Sequence, residues 1–155
     1  MNQQTWADNW NSILRTVIFK DDELKRLMLI PESATIIDFR DKYFIQAGYT
    51  SESLTNEPVR IIYGHINVGD DENSECVSKM KLSFDIYVQS KQLYNATKDR
   101  LKRRSDLIAE RLLFLLKKQR YLFGYRFYNP KENDLGTSTI GYTRKNITFS
   151  YMKVS

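Results

Sequence analysis

From Met80 to Gln89 the chain alternates without a break: Met80, Leu82, Phe84, Ile86 and Val88 fall on one side, Lys81, Ser83, Asp85, Tyr87 and Gln89 on the other. Successive side chains of a strand point to opposite faces, so this pattern describes a strand with one face buried and the other largely wet. A helix would scatter the same apolar residues around its surface. Such a strand needs neighbours to pair with and an apolar layer to cover its inner face.

The cover is predicted from the longest periodic segment, Asn95 to Gln119. Leu101, Ile108, Leu112, Leu115 and Leu116 make a stripe, with Leu107 and Ala109 beside it, and Ser90 or Asn95 suits the cap of one long amphipathic helix. Lys98 to Arg120 holds nine bases and three acids, so the face opposite the stripe is strongly positive. At the N-terminus, Trp6, Trp10, Ile13, Leu14, Val17 and Ile18 recur at helical spacing and predict a helix over Thr5 to Phe19. Asp21, Asp22 and Glu23 open a second, short helix that stops at Leu29, before Pro31.

Thr35 to Phe39 and Lys42 to Ile45 read as short strands around a charged turn, and Val59 to Asn67 as a longer one rich in β-branched and aromatic residues. Val68 to Ser78 reads as an exposed acidic loop. Tyr121 to Tyr128 and Ile140 to Val154 read as strands joined by the turn-rich Asn129 to Gly136. The order implies an α+β fold: a mainly antiparallel or mixed sheet with a long helix and N-terminal helices packed on one face. At 155 residues the chain is predicted to form a single domain over 1–155, with a helical portion at about 5–30 and a sheet-plus-helix core at about 35–154.

Several function classes find no support. The longest apolar run, Leu112 to Leu116, falls far short of the roughly 20 residues needed to span a bilayer. The first residues lack the basic start and apolar core of a signal peptide, so synthesis in a cytoplasm is expected, with no membrane partner. One cysteine, Cys76, closes no internal disulfide, and with a single histidine it makes no zinc site of the usual kind. His65 lies inside a predicted strand without a catalytic serine or cysteine nearby and reads as structural. Cys76 sits among acids, which raise a thiol pKa and disfavour a nucleophile. Asp70, Asp71, Glu72 and Glu75 lack the alternating ligand spacing and turn glycine of a calcium loop, and read as an acidic loop facing solvent or a partner. No phosphate-cradling glycine loop appears. The expectation is therefore no catalytic residue, no metal and no cofactor: a protein that assembles and is not an enzyme.

Charge points toward assembly. Residues 1–75 carry 13 acids and 7 bases, a net of −6, while residues 76–155 carry 6 acids and 17 bases, a net of +11, together the +5 of the chain. Opposite halves suit head-to-tail association, and a basic half also suits nucleic acid. The densest cationic cluster, Lys98, Arg100, Lys102, Arg103 and Arg104, is predicted at the helix start as an inter-subunit or DNA-facing basic face. The series Tyr121, Phe123, Tyr125 and Phe127 falls on one strand face, as aromatic core or as a platform for bases.

The layout resembles the tail terminator or tail completion (neck) proteins of tailed bacteriophages. The resemblance rests on the N-terminal helix with Trp6 and Trp10, the strand Met80 to Val88, the spacer Ser90 to Thr97, the helix through Leu107 to Leu113, and the closing strand Asn146 to Tyr151. Asp21 to Leu29 and Val68 to Ser78 have no counterpart in that pattern. The resemblance implies a structural subunit of a homo-oligomeric ring, a hexamer, that caps the tail tube and joins it to the head connector. Its partners would be the tail tube protein and the connector proteins, with non-specific contact to DNA in the channel, and its place the tail or neck of the virion. The competing reading is a nucleic-acid-binding module that uses the basic helix 98–120.

Overall fold

A computed structural model of the protein describes residues 6–48, 57–70, 78–136 and 141–153. The fold is α+β, with a mixed sheet of five strands in the order β1-β2-β3-β5-β4. Helix α1 (Trp6–Ile13) runs on as a π-helical segment, Leu14–Ile18, and is followed by α2 (Asp22–Leu27) and α3 (Ile36–Asp38), which passes into a second π-helical segment, Phe39–Tyr43. The strands are β1 (Phe44–Gln46), β2 (Val59–Asp70), β3 (Ser78–Gln89), β4 (Tyr125–Asp134) and β5 (Tyr142–Lys153), with α4 (Arg104–Lys117) between β3 and β4. β1 pairs parallel with β2, and the other three pairings are antiparallel.

The alternating segment is the central strand, and its apolar side faces the core as predicted. Leu82, Phe84, Ile86 and Val88 are fully buried, joined across the register by Ile61 and Tyr63 of β2 and by Ile147, Phe149 and Tyr151 of β5. Trp10 of α1 packs on Tyr63 and Phe84, and Ile108, Ala109, Leu112, Leu115 and Leu116 of α4 complete the same core.

Helix α2 shows how local sequence closes an element. Asp21 caps its start by accepting from the Leu24 N–H at 2.8 Å. Its end is a Schellman turn: Ile30 N–H reaches Lys25 C=O and Leu29 N–H reaches Arg26 C=O, with Leu29 at φ 57° in the place glycine usually takes. Arg111 of α4 grips the Asp21 carboxylate at 2.6 Å, which docks α2 on α4. Burial alone would push the Asp21 carboxyl up, but the Arg111 and Leu24 hydrogen bonds outweigh it and hold it below 3.8.

Four expectations are corrected. The long helix from Asn95 to Gln119 is only α4, Arg104–Lys117, and the helices are all short. The chain turns at Asp99, whose carboxylate accepts from Thr97 Oγ1 and the Leu101 N–H, and Arg100 sits at φ 55°, so no helix passes through. Leu101 consequently leaves the stripe and is 80% exposed. Thr35 to Phe39 is no strand: Thr35 and Asp38 form a capping box, a Thr-x-x-Asp signal visible in the sequence, and start α3.

Strand β4 begins at Tyr125, not Tyr121, because Leu122 and Tyr125 exchange both backbone bonds across a two-residue turn with Phe123 at φ 49° and Gly124 at φ 81°. The supposed turn Asn129 to Gly136 is mostly strand. Asn129, at φ 52°, and Pro130 make a bulge, and Lys131 to Asp134 pair onward with Thr148 to Lys145. An edge strand tolerates that proline because its N–H side has no neighbour to serve. The predicted N-terminal helix and the β2, β3 and β5 segments otherwise agree in place, and the short strand expected over Lys42 to Ile45 survives as β1, Phe44–Gln46.

Candidate functional site

The predicted basic face divides into two groups with different jobs. Lys98, Arg100 and Lys102 lie in the loop before α4 and are exposed. Arg103 and Arg104 turn inward. Arg103, the N-cap residue of α4, reaches Asp106 at 2.9 Å and Asp134 of β4 at 2.9 Å. Buried Lys145 of β5 joins the same cluster, at 2.7 Å from Asp106, 3.5 Å from Glu132 and 3.6 Å from Asp134. Burial would raise the Asp106 carboxyl, but Arg103 and Lys145 hold it low, and the acids in turn raise Arg103 and Lys145 against their own desolvation. This network ties the start of α4 to the β4 edge of the sheet.

Arg104 is 3% exposed and pairs with no acid among the described residues. Its guanidinium donates to Gln92 C=O at 2.9 Å, to Leu27 C=O at 2.7 Å and to Asn95 Oδ1 at 2.8 Å, and its own N–H donates to Leu93 C=O at 2.6 Å. Leu27 is the last residue of α2. Its carbonyl is the one that the helix end leaves over, since Leu24, Lys25 and Arg26 C=O are taken by Met28, Ile30 and Leu29 N–H. A guanidinium suits the place because its planar fork serves several acceptors at once. Arg104 is thus committed inside the fold and Arg103, about one-third exposed, to ion pairs, and both hold the 93–103 loop, while Lys98, Arg100 and Lys102 are exposed on it.

That loop borders an open groove of about 330 Å3, whose apolar wall is Tyr94, Leu101 and Leu107 and whose charged rim is Lys102, Arg103, Asp106 and Glu110. Tyr94 is 50% exposed. The sequence assigned Leu101 to the core because its spacing to Ile108 is one heptad, a coincidence once the chain turns at Asp99.

The acidic loop expected over Val68 to Ser78 is shorter than predicted, since Val68 to Asp70 belong to β2 and Ser78 to β3. Asp70 ends β2, opposite Ser78 of β3, while Asp71, Glu72, Glu75 and Cys76 lie outside the described residues. Among the described residues no group of three or more His, Cys, Asp or Glu is placed to hold a metal ion.

His65 sits in an aromatic cluster. Trp6 N–H donates to its Nε2 at 2.8 Å, and Nδ1 lies 3.3 Å from the Tyr151 hydroxyl. Trp6 stacks on Tyr151 at 4.2 Å and packs edge-on against Tyr125 at 4.7 Å. Because Nε2 accepts, the proton of the neutral ring belongs on Nδ1. Burial lowers the His65 pKa and pushes that of Tyr151 up to about 12. The ring therefore serves as a neutral link between α1 and the sheet.

Of the aromatic series, Tyr125 and Phe127 are buried in this core, while Tyr121 and Phe123 are 41% and 45% exposed at the turn. They do not share a platform. On the outer face of the sheet, Arg60 is 2% exposed between the rings of Tyr87 and Tyr142, 5.4 and 5.3 Å away, an arrangement that sequence pattern did not signal. No helix of the described residues is long and apolar enough to cross a membrane. No protein-family model, curated protein or solved structure matches the chain.

Proposed function

We propose that this chain is a structural subunit of a bacteriophage tail or neck, a ring-forming tail terminator or tail completion protein that caps the tail tube and joins it to the head connector. The observation that carries the reading is a cationic loop held rigidly at one edge of the sheet. Lys98, Arg100 and Lys102 stand on a segment that Arg104 fastens to α2 and that Arg103 fastens to β4. They form no ion pair with a described residue. A rigid, unpaired basic edge on a chain whose first half is acidic supports heterologous contact, in which unlike surfaces meet and copies close into a ring, a hexamer in this reading. The role is mechanical, without bond chemistry.

The nucleic-acid reading has less to draw on. Two of the five cations are consumed internally, and Tyr125 and Phe127 are buried away from any base. Light scattering and native mass measurement on the purified chain, at about 50 and 500 mM salt, test the proposal. Association that weakens at high salt, where the Debye length shrinks from roughly 14 to 4 Å, is the expected result. A monomer at both salts, or tight salt-dependent binding of a labelled oligonucleotide without self-association, overturns it.

A further inference from the structure

We propose that the hydrogen bond from Trp6 to His65 is a proton-operated latch, which holds the start of α1 on the sheet while the imidazole is neutral and releases it when the ring gains a proton. This goes beyond the ring reading above and does not depend on it. It rests on the direction of one bond: the Trp6 indole N–H meets His65 Nε2 at 2.8 Å. An indole nitrogen only donates, so Nε2 must accept. The ring proton therefore sits on Nδ1, beside the Tyr151 hydroxyl at 3.3 Å.

A second proton can enter only at Nε2, because Nδ1 already holds one. The Nδ1 side keeps its donor role toward Tyr151 and is undisturbed. On the other side two N–H donors would face each other at 2.8 Å, so that contact must open. Trp6 is the member placed to move. His65 is fixed within β2, registered against Leu82 of β3, whereas Trp6 is the first residue of α1 and only partly buried. The rest of α1 is held without it: Ile13 is fully buried, and Trp10 packs on Tyr63 and Phe84. Stacking on Tyr151 and the edge contact with Tyr125 oppose release. Against them stands a buried N–H that faces another donor and finds an acceptor only in water. Release is thus confined to the helix start.

No neighbour shelters the imidazolium. His65 lines a groove of about 190 Å3 together with Trp6, Trp10 and Arg40. Among the described residues Arg40, in the Phe39–Tyr43 segment, is the one charged side chain of that lining, and its sign is that of the imidazolium. The other elements packed here bring the tyrosines Tyr63, Tyr125 and Tyr151 and the amides of Asn11 and Gln46, none of them an acid that could hold the cation. Leu82, opposite His65 on β3, is apolar. Burial accordingly lowers the His65 pKa, so the proton enters below pH 6.5. A cation that neither a carboxylate nor the indole can stabilise is relieved by water reaching Nε2, and that requires Trp6 to leave.

The chain has one histidine, and its two tryptophans are Trp6 and Trp10, both in α1, so ordinary probes report on this contact alone. On the full chain, the His65 ring resonances and the tryptophan emission are followed together from about pH 7.5 to about pH 5, above the range in which most carboxylates titrate. The expected result is a red shift of the emission and stronger quenching by acrylamide, both with the midpoint of the His65 titration, while the far-ultraviolet circular dichroism persists. His65→Gln, which offers an acceptor that does not titrate, is expected to abolish the shift. Trp6→Phe, which removes the donor and keeps a ring, is expected to move the His65 midpoint up toward 6.5. An emission that stays fixed while His65 titrates, a His65 that takes up no proton by about pH 5, or a shift retained in His65→Gln overturns the latch. So does a shift that comes only with loss of the circular dichroism, or a His65 midpoint in Trp6→Phe equal to that of the parent.

Discussion

Replacing Arg104 by alanine tests whether a residue of the basic cluster belongs to the interior. Three acceptors lose their donor: Leu27 C=O, Gln92 C=O and Asn95 Oδ1. The Leu27 carbonyl lies in a buried hydrogen bond and would stay unpaired, at a cost of about 1–3 kcal/mol. The other two bonds are part-buried, and water replaces them in part, which adds about 1 kcal/mol together. A total of about 3 kcal/mol follows, and for a chain of this size that lowers the melting temperature by roughly 6–12 °C. The assay is thermal and urea unfolding followed by far-ultraviolet circular dichroism. Lys98→Ala and Lys102→Ala, on the same loop, should stay within about 0.5 kcal/mol of the parent. Arg104→Lys should recover only part of the loss, because an ammonium cannot reach three acceptors arranged as a fork. An Arg104→Ala protein that melts within about 2 °C of the parent would refute the reasoning, since the guanidinium would then be dispensable to both α2 and the loop.

Two further outcomes follow from the same structure. His65 is held neutral, with a pKa below 6.5, so the unfolded chain takes up a proton that the folded chain resists; stability should fall as pH drops through about 6.5 and level off below the folded-state pKa. Urea midpoints read by tryptophan fluorescence between pH 7.5 and 5 measure this, and because the chain has one histidine, His65→Gln should flatten the slope; an equal slope in the variant would remove the assignment. Phe123 is held at φ 49° ahead of Gly124 and is 45% exposed, so Phe123→Asn, which favours that conformation in such a turn, should raise stability by about 0.5–1 kcal/mol. A lower unfolding midpoint would show that the Phe123 ring contributes packing that outweighs its backbone strain.

The local patterns of this chain determined most of its elements. The alternation at Met80 to Val88 specified a strand and its buried side, and the acids of Asp21 to Glu23 specified the start of α2, because periodicity and capping act between residues close in sequence. The sheet-and-helix class followed from their order. The apolar stripe at Ile108 to Leu116 likewise identified the inner face of α4.

Tertiary structure decided the rest. Two corrections were themselves local: the Asp99 turn that takes Leu101 off that stripe and the Thr35–Asp38 capping box that starts α3 act across two and three residues, and apolar spacing and the β-branched Ile36 and Ile37 masked them. Above all, the fate of each cation was settled by partners far along the chain. Arg103 meets Asp134 and Arg104 meets Leu27, 31 and 77 residues away, so two neighbouring arginines became internal fastenings while Lys98, Arg100 and Lys102 stayed outside. Side-chain type shows that a guanidinium can pair or bind. Only the fold, by bringing an unpaired carbonyl or carboxylate within 3 Å, shows that it already has.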